Sequence, residues 1–253
     1  MQTAFECLLS TCGYFGNDPA MKTNYGTRSY DVGRDILKLI AIITMTIDHI
    51  GAVLFPGSFV LFPGFELLRI IGRLSFPIFG YLIVLGVETT RNLKKYFIRL
   101  FAFAIISQIP FYLALGYSPF ESLNIFFTLS FGVLSLTNPL FMIVSFVLSL
   151  LLNFDYSAYG IALIVGMRFL RENTKMGILV LILINLVFLP ASPIQLLSLL
   201  ALPIIIMHKN GSLGASRVEK TSKTISLLRK YAFYIYYPAH LLLLYVIKTY
   251  FLL

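Results

Sequence analysis

The chain has 253 residues, of which 58% are hydrophobic and only 12% are charged, and its net charge at pH 7 is +9. About a quarter of the residues in soluble domains are charged, so this composition excludes an ordinary soluble enzyme and predicts an integral membrane protein. The positive charge does not indicate nucleic-acid binding, because seventeen of the twenty Lys and Arg residues form four clusters between hydrophobic segments. Such clusters set the orientation of membrane proteins, with anionic lipid headgroups or an anionic cosubstrate as further partners.

Residues 1–33 are predicted to be an N-terminal tail, a candidate for disorder, and residues 34–253 a single membrane domain. The tail contains both cysteines, Cys7 and Cys12, whose spacing is not that of a metal site. It lacks the charged start and apolar core of a cleaved signal peptide. Met21 begins a cleaner basic lead into the first helix and is a second candidate for the start of translation.

Nine apolar runs follow, each bounded by charged residues, Gly or Pro, and they predict an all-α, multi-pass protein of the cell membrane. The runs cover residues 36–55, 69–87, 96–115, 123–137, 139–154, 158–171, 176–190, 194–207 and 230–252. With a cytoplasmic N-terminus all four basic clusters fall on the cytoplasmic side, as the distribution of Lys and Arg requires. The fourth and fifth runs are short, and their merger would reverse every later span.

The first span contains ionisable residues within its apolar sequence. Lys38 and His49 are eleven residues apart, which is roughly 16 Å along a helix and within roughly 20° of the same face. Asp35 lies near the same stripe. With Lys38 at the membrane surface, His49 would lie near the middle of a hydrocarbon core about 30 Å thick. Ionisable groups at that depth are costly, and they are functional candidates by default.

Asp48 and His49 are the candidate catalytic residues of this span. A carboxylate can support an imidazole that acts as general base towards an amine or a hydroxyl group. Adjacent residues of a helix point about 100° apart, however, so a contact between the two side chains does not follow from their order. The structural alternative is a histidine that hydrogen-bonds to a neighbouring helix.

Arg69 and Arg73 are four residues apart in the second span and are candidates for binding a cosubstrate. The guanidinium fork suits phosphate and carboxylate groups. The alternative is an ion pair with Glu66 or Asp48 that holds the first two spans together.

Further pocket candidates lie in later spans. The last span places His240 two residues after Pro238, which interrupts helical hydrogen bonding, often at a functional cavity. Tyr237 belongs to an aromatic run that alternatively forms an interfacial belt. Asn124 is expected to form a hydrogen bond between helices, and Asp155 to cap one. The sequence contains no phosphate loop, nucleophile elbow or paired-cysteine site, and we expect no metal.

Four stretches together give the sequence a resemblance to the TraX family, known for a conjugative pilin acetyltransferase. They are LKLIAIITMTIDHIG, LRIIGRLSFPIFGYLI with TRNLKKY after it, NIFFTLSFG, and YYPAHLLLLY, and they span residues 37 to 245. The first helix is also similar to that of the broader transmembrane acyltransferases, which include acyltransferase family three and the lysosomal heparan acetyltransferase. That group has a basic residue, usually Arg, eleven positions before a His; Lys38 and His49 occupy these positions here.

The resemblance implies acyl transfer from acyl-CoA, most simply acetyl-CoA, to a peptide, glycan or small-molecule acceptor. It implies an acid-base role for His49 and makes Lys38 a candidate for contact with the coenzyme A phosphates. The alternatives are a proton-coupled transporter for a small anion, built from the same buried cations and His, and a scaffold subunit without chemistry.

Overall fold

The computed structural model describes residues 31–55, 66–214 and 223–252, with side chains for residues 31–55, 67–214 and 231–250. The predicted tail before residue 31, with Cys7, Cys12 and Met21, lies outside the described residues. The described chain is helical and contains no strand. Its α-helices are α1 Val32–Leu54, α2 Glu66–Gly72, α3 Ser75–Thr89, α4 Leu93–Leu115, α5 Ile125–Ser135, α6 Pro139–Leu151, α7 Ser157–Glu172, α8 Thr174–Phe188, α9 Leu202–Lys209 and α10 Lys223–Ile247. A 3-10 helix, Pro193–Ala201, precedes α9, and a π-helical turn, Lys248–Leu252, follows α10.

Each of the nine predicted runs coincides with helical structure in the described residues. The second run is divided into α2 and α3 by a turn at Arg73 and Leu74. The fourth and fifth runs are separate helices, α5 and α6, so they do not merge. Within the described part of the chain, three stretches are long and apolar enough to cross a membrane, Val32–Leu54, Leu67–Thr89 and Leu93–Leu115. The count of nine spans and the cytoplasmic N-terminus stay predictions.

Asn and Asp side chains begin many of these helices. The first N–H groups of a helix have no acceptor within it, and a short polar side chain can supply one. Side chains that accept from a backbone N–H at a helix start are those of Asp31 for α1, Asn92 for α4, Asn124 for α5, Asn138 for α6 and Asn173 for α8. The loop residues therefore determine where these helices begin, although the helices themselves are almost uniformly apolar.

The basic ends of several helices meet on one side of the bundle. Arg34 at the start of α1 donates to the hydroxyl group of Thr89 at the end of α3, at 3.2 Å. Arg171 near the end of α7 pairs with Glu88, also near the end of α3, at 3.1 Å. Because the start of α1 meets the end of α3 on this side, the end of α1 and the start of α3 lie on the opposite side of the bundle. Large apolar side chains such as Ile109 and Val187 are exposed around the bundle, as contact with lipid requires.

Helix α1 packs against α2, α3 and α10, and α7 packs against α3 and α8. The contact between α7 and α8 is close because Gly177 faces the backbone of Leu170, where a Cβ atom would overlap the N and Cα atoms.

We predict that Gly177→Ala destabilises the protein by at least about 1–3 kcal/mol, the usual cost of overpacking, because the backbone of Leu170 cannot move aside. The midpoint of thermal unfolding in detergent would measure this. The neighbouring Met176 is 51% exposed, so Met176→Ala is the matched control and should leave the midpoint nearly unchanged. A Gly177→Ala protein as stable as wild type would contradict the close contact.

Candidate functional site

Two guanidinium groups converge on the carboxylate of Asp48. Nη1 of Arg69 lies 2.9 Å from Oδ2, and Nη2 of Arg73 lies 2.8 Å from Oδ1. Arg69 also donates to the backbone oxygen of Asp48 at 3.2 Å. Gly72 permits this approach, since a Cβ atom there would overlap the Asp48 side chain. Asp48 thus forms the ion pair that the sequence offered as the structural alternative, while the side chain of Glu66 lies outside the described residues.

The imidazole of His49 is directed away from this cluster, towards α10. Its Nδ1 lies 2.8 Å from Nε2 of His240. Nδ1 of His240 in turn lies 2.9 Å from the backbone oxygen of Tyr236, and the ring of Tyr236 stacks on that of His240 with centroids 4.9 Å apart. The expected support of His49 by Asp48 is therefore corrected: the carboxylate binds arginines, and the described neighbour that hydrogen-bonds to His49 is His240.

A second hydrogen bond joins α1 to α10 one turn before His49. The hydroxyl groups of Thr46 and Tyr236 lie 2.6 Å apart, and Thr46 donates to the backbone oxygen of Ile42 at 2.8 Å. Since Thr46 has a single hydroxyl proton, Tyr236 is the donor in the bond between them. Tyr236 therefore holds His240 through its ring and carbonyl group and α1 through its hydroxyl group. The sequence pattern alone did not indicate this role, although Tyr236 precedes His240 by four residues and so shares its helical face.

His49 borders a small cavity in the interior of the bundle. The cavity has a volume of about 40 Å³, which is room for at least one water molecule. Its walls are mainly apolar and aromatic. The lining residues are Met45, His49, Ser75, Phe76, Phe79, Ile125, Leu129, Asp155, Tyr156, Phe233 and Tyr237.

Asp155 contributes a carboxyl group to this cavity from the turn between α6 and α7. The expectation that it caps a helix is wrong: the residue before α7 is Tyr156, in a left-handed conformation with φ 62° and without a capping hydrogen bond from its side chain. Ser157 also has positive φ, 44°. Non-glycine residues in this region carry backbone strain, which is found often at functional sites. Burial raises the pKa of Asp155 from 3.8 to about 6, although Arg73 opposes the rise.

The other predicted site residues lie around this cavity or at a distance from it. Lys38 pairs with Asp35 at 3.1 Å, about three turns before His49 on α1. Asn124 caps α5 and binds the backbone oxygen of Ala104 at 2.7 Å, and it does not line the cavity. Of the predicted set, His49 and Tyr237 line the cavity and His240 lies directly behind His49. The described residues contain no group of three or more His, Cys, Asp or Glu side chains that could hold a metal.

Comparison with known proteins gives one family and two relatives. The model of the TraX protein family matches residues 33–248. The chain is 29% identical over 243 residues to the probable fimbrial assembly protein FimC, serogroup H1, of Dichelobacter nodosus, covering 86% of this chain and 96% of the relative. It is 32% identical over 111 residues to an uncharacterized protein of Rickettsia prowazekii, covering 44% of this chain and 36% of that one. No solved structure matches the chain.

The raised pKa of Asp155 predicts a pH dependence of stability. The folded protein holds this proton more tightly than the unfolded chain, so the contribution of the protonated carboxyl is complete below pH 4 and is lost as the pH rises through about 6. Asp155→Asn should therefore raise the stability at pH 7 by on the order of 2–3 kcal/mol, at 1.4 kcal/mol per pKa unit, and change it little at pH 4. Thermal unfolding in detergent at both pH values is the measurement. Equal effects at the two pH values would contradict the raised pKa.

Proposed function

The chain belongs to the TraX family, and on this basis we propose that it is a multi-pass protein of the cell membrane that transfers an acetyl group from acetyl-CoA to an amine or hydroxyl acceptor. The observation that carries the proposal is the hydrogen-bonded series from His49 through His240 to the backbone oxygen of Tyr236, at the edge of a small cavity. The D. nodosus relative is named a fimbrial assembly protein, which favours a pilin or other peptide N-terminus as the acceptor; a glycan or small molecule is the alternative.

The hydrogen bonds determine which nitrogen of His49 is free to act as a base. A carbonyl oxygen only accepts, so Nδ1 of His240 must carry the proton in its bond to Tyr236. In a neutral imidazole the other nitrogen is then an acceptor, so Nδ1–H of His49 donates to Nε2 of His240. This leaves Nε2 of His49 with an unshared electron pair. The tautomer of His49 is thus set by a backbone carbonyl group on another helix.

The reaction that follows is general base catalysis by His49. Nε2 of His49 takes the proton of the acceptor as the acceptor nitrogen or oxygen attacks the thioester carbon. His240 receives the hydrogen bond from the charged imidazolium and so stabilises it, the task that a carboxylate performs in serine hydrolases. The C–S bond then breaks, and His49 returns the proton to the departing thiolate. No metal is required for any of these steps.

The dimensions of the cavity fit the acetyl end of the donor. Its small volume, about 40 Å³, suits a short acyl group such as acetyl better than a long acyl chain. Coenzyme A carries its anionic phosphates at the other end of a long arm. We propose that Lys38 and the basic helix ends near Arg34 attract these phosphates. Arg69 and Arg73 share one carboxylate, so their cluster keeps a net charge of +1 that can attract an anion.

The proposal predicts that acetyl transfer depends on His49. Membranes expressing wild type or His49→Ala would be given labelled acetyl-CoA together with pilin-type peptides, and the label in acceptors would be counted. Loss of a general base should lower transfer by about 10²–10⁴-fold. His208→Ala is the matched control, because His208 binds Asp31 and Tyr81 near the other end of α1, and at saturating acetyl-CoA it should keep its transfer rate.

Equal labelling with wild type and His49→Ala would remove His49 from the reaction. No labelling with any variant or acceptor would contradict acetyl transfer. Uptake of a small anion by proteoliposomes without an acyl donor would then favour the transporter.

The tautomer of His49 leads to a separate prediction for His240. His240→Phe keeps an aromatic ring but has no atom that can accept from Nδ1 of His49, so it should lower kcat by about 10²-fold, and the KM for acetyl-CoA should change little. Tyr236→Phe is the control: it keeps the stacked ring and the carbonyl group and removes only the hydrogen bond to Thr46, so its effect should be much smaller. A His240→Phe protein with wild-type kcat would show that His49 does not need this partner.

A further inference from the structure

The hydroxyl group of Tyr237 is a buried donor without an acceptor among the described residues. The residue is fully buried, and the one described group directed at its oxygen is itself a donor, the backbone N–H of Ile125. The ring is fixed by edge-on contacts with Phe126, His240 and His49, at centroid distances of 5.0, 5.6 and 6.0 Å. Buried polar groups are nearly always hydrogen-bonded, and a Phe would fill the same volume without the cost of an unpaired hydroxyl group. Because this hydroxyl group does not contribute to stability, we look for its role in function.

The position of this hydroxyl group connects it to the cavity beside His49. Tyr237 lines the cavity, and its hydroxyl group interacts electrostatically with Asp155 and Tyr156, while the backbone N–H of Ile125 is directed at its oxygen. All three of these residues also line the cavity. The hydroxyl group is thus on the cavity side of the ring, where a molecule that enters would meet it.

A second donor lies at the same place. Ile125 is the first residue of α5, and the first N–H groups of a helix have no acceptor within it. The side chain of Asn124 accepts from the next N–H, that of Phe126, at 3.0 Å. The N-terminus of a helix also favours negative charge. A hydroxyl donor and a helix N-terminus therefore border the same cavity as the proposed base.

We propose that Tyr237 donates a hydrogen bond to the oxygen of the reacting carbonyl group, with the N–H of Ile125 as the second donor. This inference rests on the proposed acetyl transfer. As the acceptor forms its bond to the thioester carbon, His49 takes the acceptor's proton and the π electrons of the carbonyl group move to its oxygen. The oxyanion accepts from Tyr237 and Ile125. When those electrons return, the C–S bond breaks and the thiolate takes the proton from His49.

Tyr237→Phe tests the inference, since it removes one oxygen atom and keeps the ring. With acetyl-CoA and a pilin-type peptide, kcat should fall about 10²–10³-fold, as for the loss of other oxyanion donors. The KM for acetyl-CoA and the pH at half-maximal rate should be unchanged, because binding and the base are unaffected. The thermal unfolding midpoint should change little, because the lost hydroxyl proton had no acceptor.

Tyr159→Phe is the matched control. Tyr159 is also buried, but its hydroxyl group lies 2.9 Å from that of Ser198 and donates to Asn185 at 3.3 Å, and it does not line the cavity. Tyr159→Phe should therefore lower the unfolding midpoint and leave kcat unchanged. Tyr237→Phe should therefore lower kcat without lowering stability, and Tyr159→Phe should lower stability without lowering kcat.

A second pair of variants tests the backbone donor. Ile125→Pro removes the N–H at a helix position that accepts proline, and Asn124 has the extended backbone, φ −63° and ψ 166°, that precedes proline. Ile125→Ala removes the side chain and keeps the N–H. The proline variant should have a lower kcat than the alanine variant by about tenfold or more.

The outcomes distinguish this inference from the function on which it rests. Wild type without acetyl transfer to any acceptor overturns both. Active wild type with a Tyr237→Phe variant within twofold of it overturns the oxyanion role alone. The same holds if Tyr237→Phe raises KM and keeps kcat, because the hydroxyl group would then serve binding and not the transition state.

Discussion

The pairing of Asp48 with two arginines is the constraint on which the arrangement of the first three helices depends. Charged groups in an apolar interior must be paired, since leaving one unpaired costs several kcal/mol. One carboxylate meets Arg73 at the turn between α2 and α3 and Arg69 one turn earlier. The pairing fixes the rotation of α1 about its axis. The next residue, His49, points about 100° further round and so reaches α10 instead of its neighbour Asp48.

Helix α10 supplies most of what surrounds His49. Tyr236, Tyr237 and His240 occupy one turn of that helix, and each contacts α1 through a different group: the first through its hydroxyl, the second through its ring edge and the third through its imidazole. The backbone carbonyl group that begins the hydrogen-bonded series belongs to the same turn. Such a group cannot titrate, so the tautomer of His49 does not depend on the ionisation of a distant acid.

The sequence predicted the helical segments well because apolar runs and their polar ends are local signals. It also identified His49 and His240 as candidates, since ionisable residues within spans are unusual, and Tyr237 as part of the aromatic run beside Pro238 and His240. It did not predict which side chains meet, because His49 and His240 are 191 residues apart and the periodicity of a helix gives its faces but not its neighbours. The prediction that Asp155 caps a helix is wrong for a related reason. A short acidic turn before a helix has the same local sequence pattern whether its carboxyl group faces outward or into the bundle. The backbone here has positive φ at Tyr156 and Ser157, and residue type does not indicate such a conformation.

The asparagines that begin the helices cap the backbone without placing a charge at the helix end. Asn92, Asn124, Asn138 and Asn173 satisfy backbone donors without adding charge. An aspartate would satisfy the same donors and add a favourable interaction with the helix dipole, but it would also add a charge to be desolvated wherever the helix end enters lipid. Because these caps are neutral, the free energy of inserting a helix is similar for its two orientations in the membrane. The Lys and Arg residues of the loops then determine the orientation during biosynthesis. A change of loop charge would therefore invert a helix while its capping hydrogen bonds stay intact.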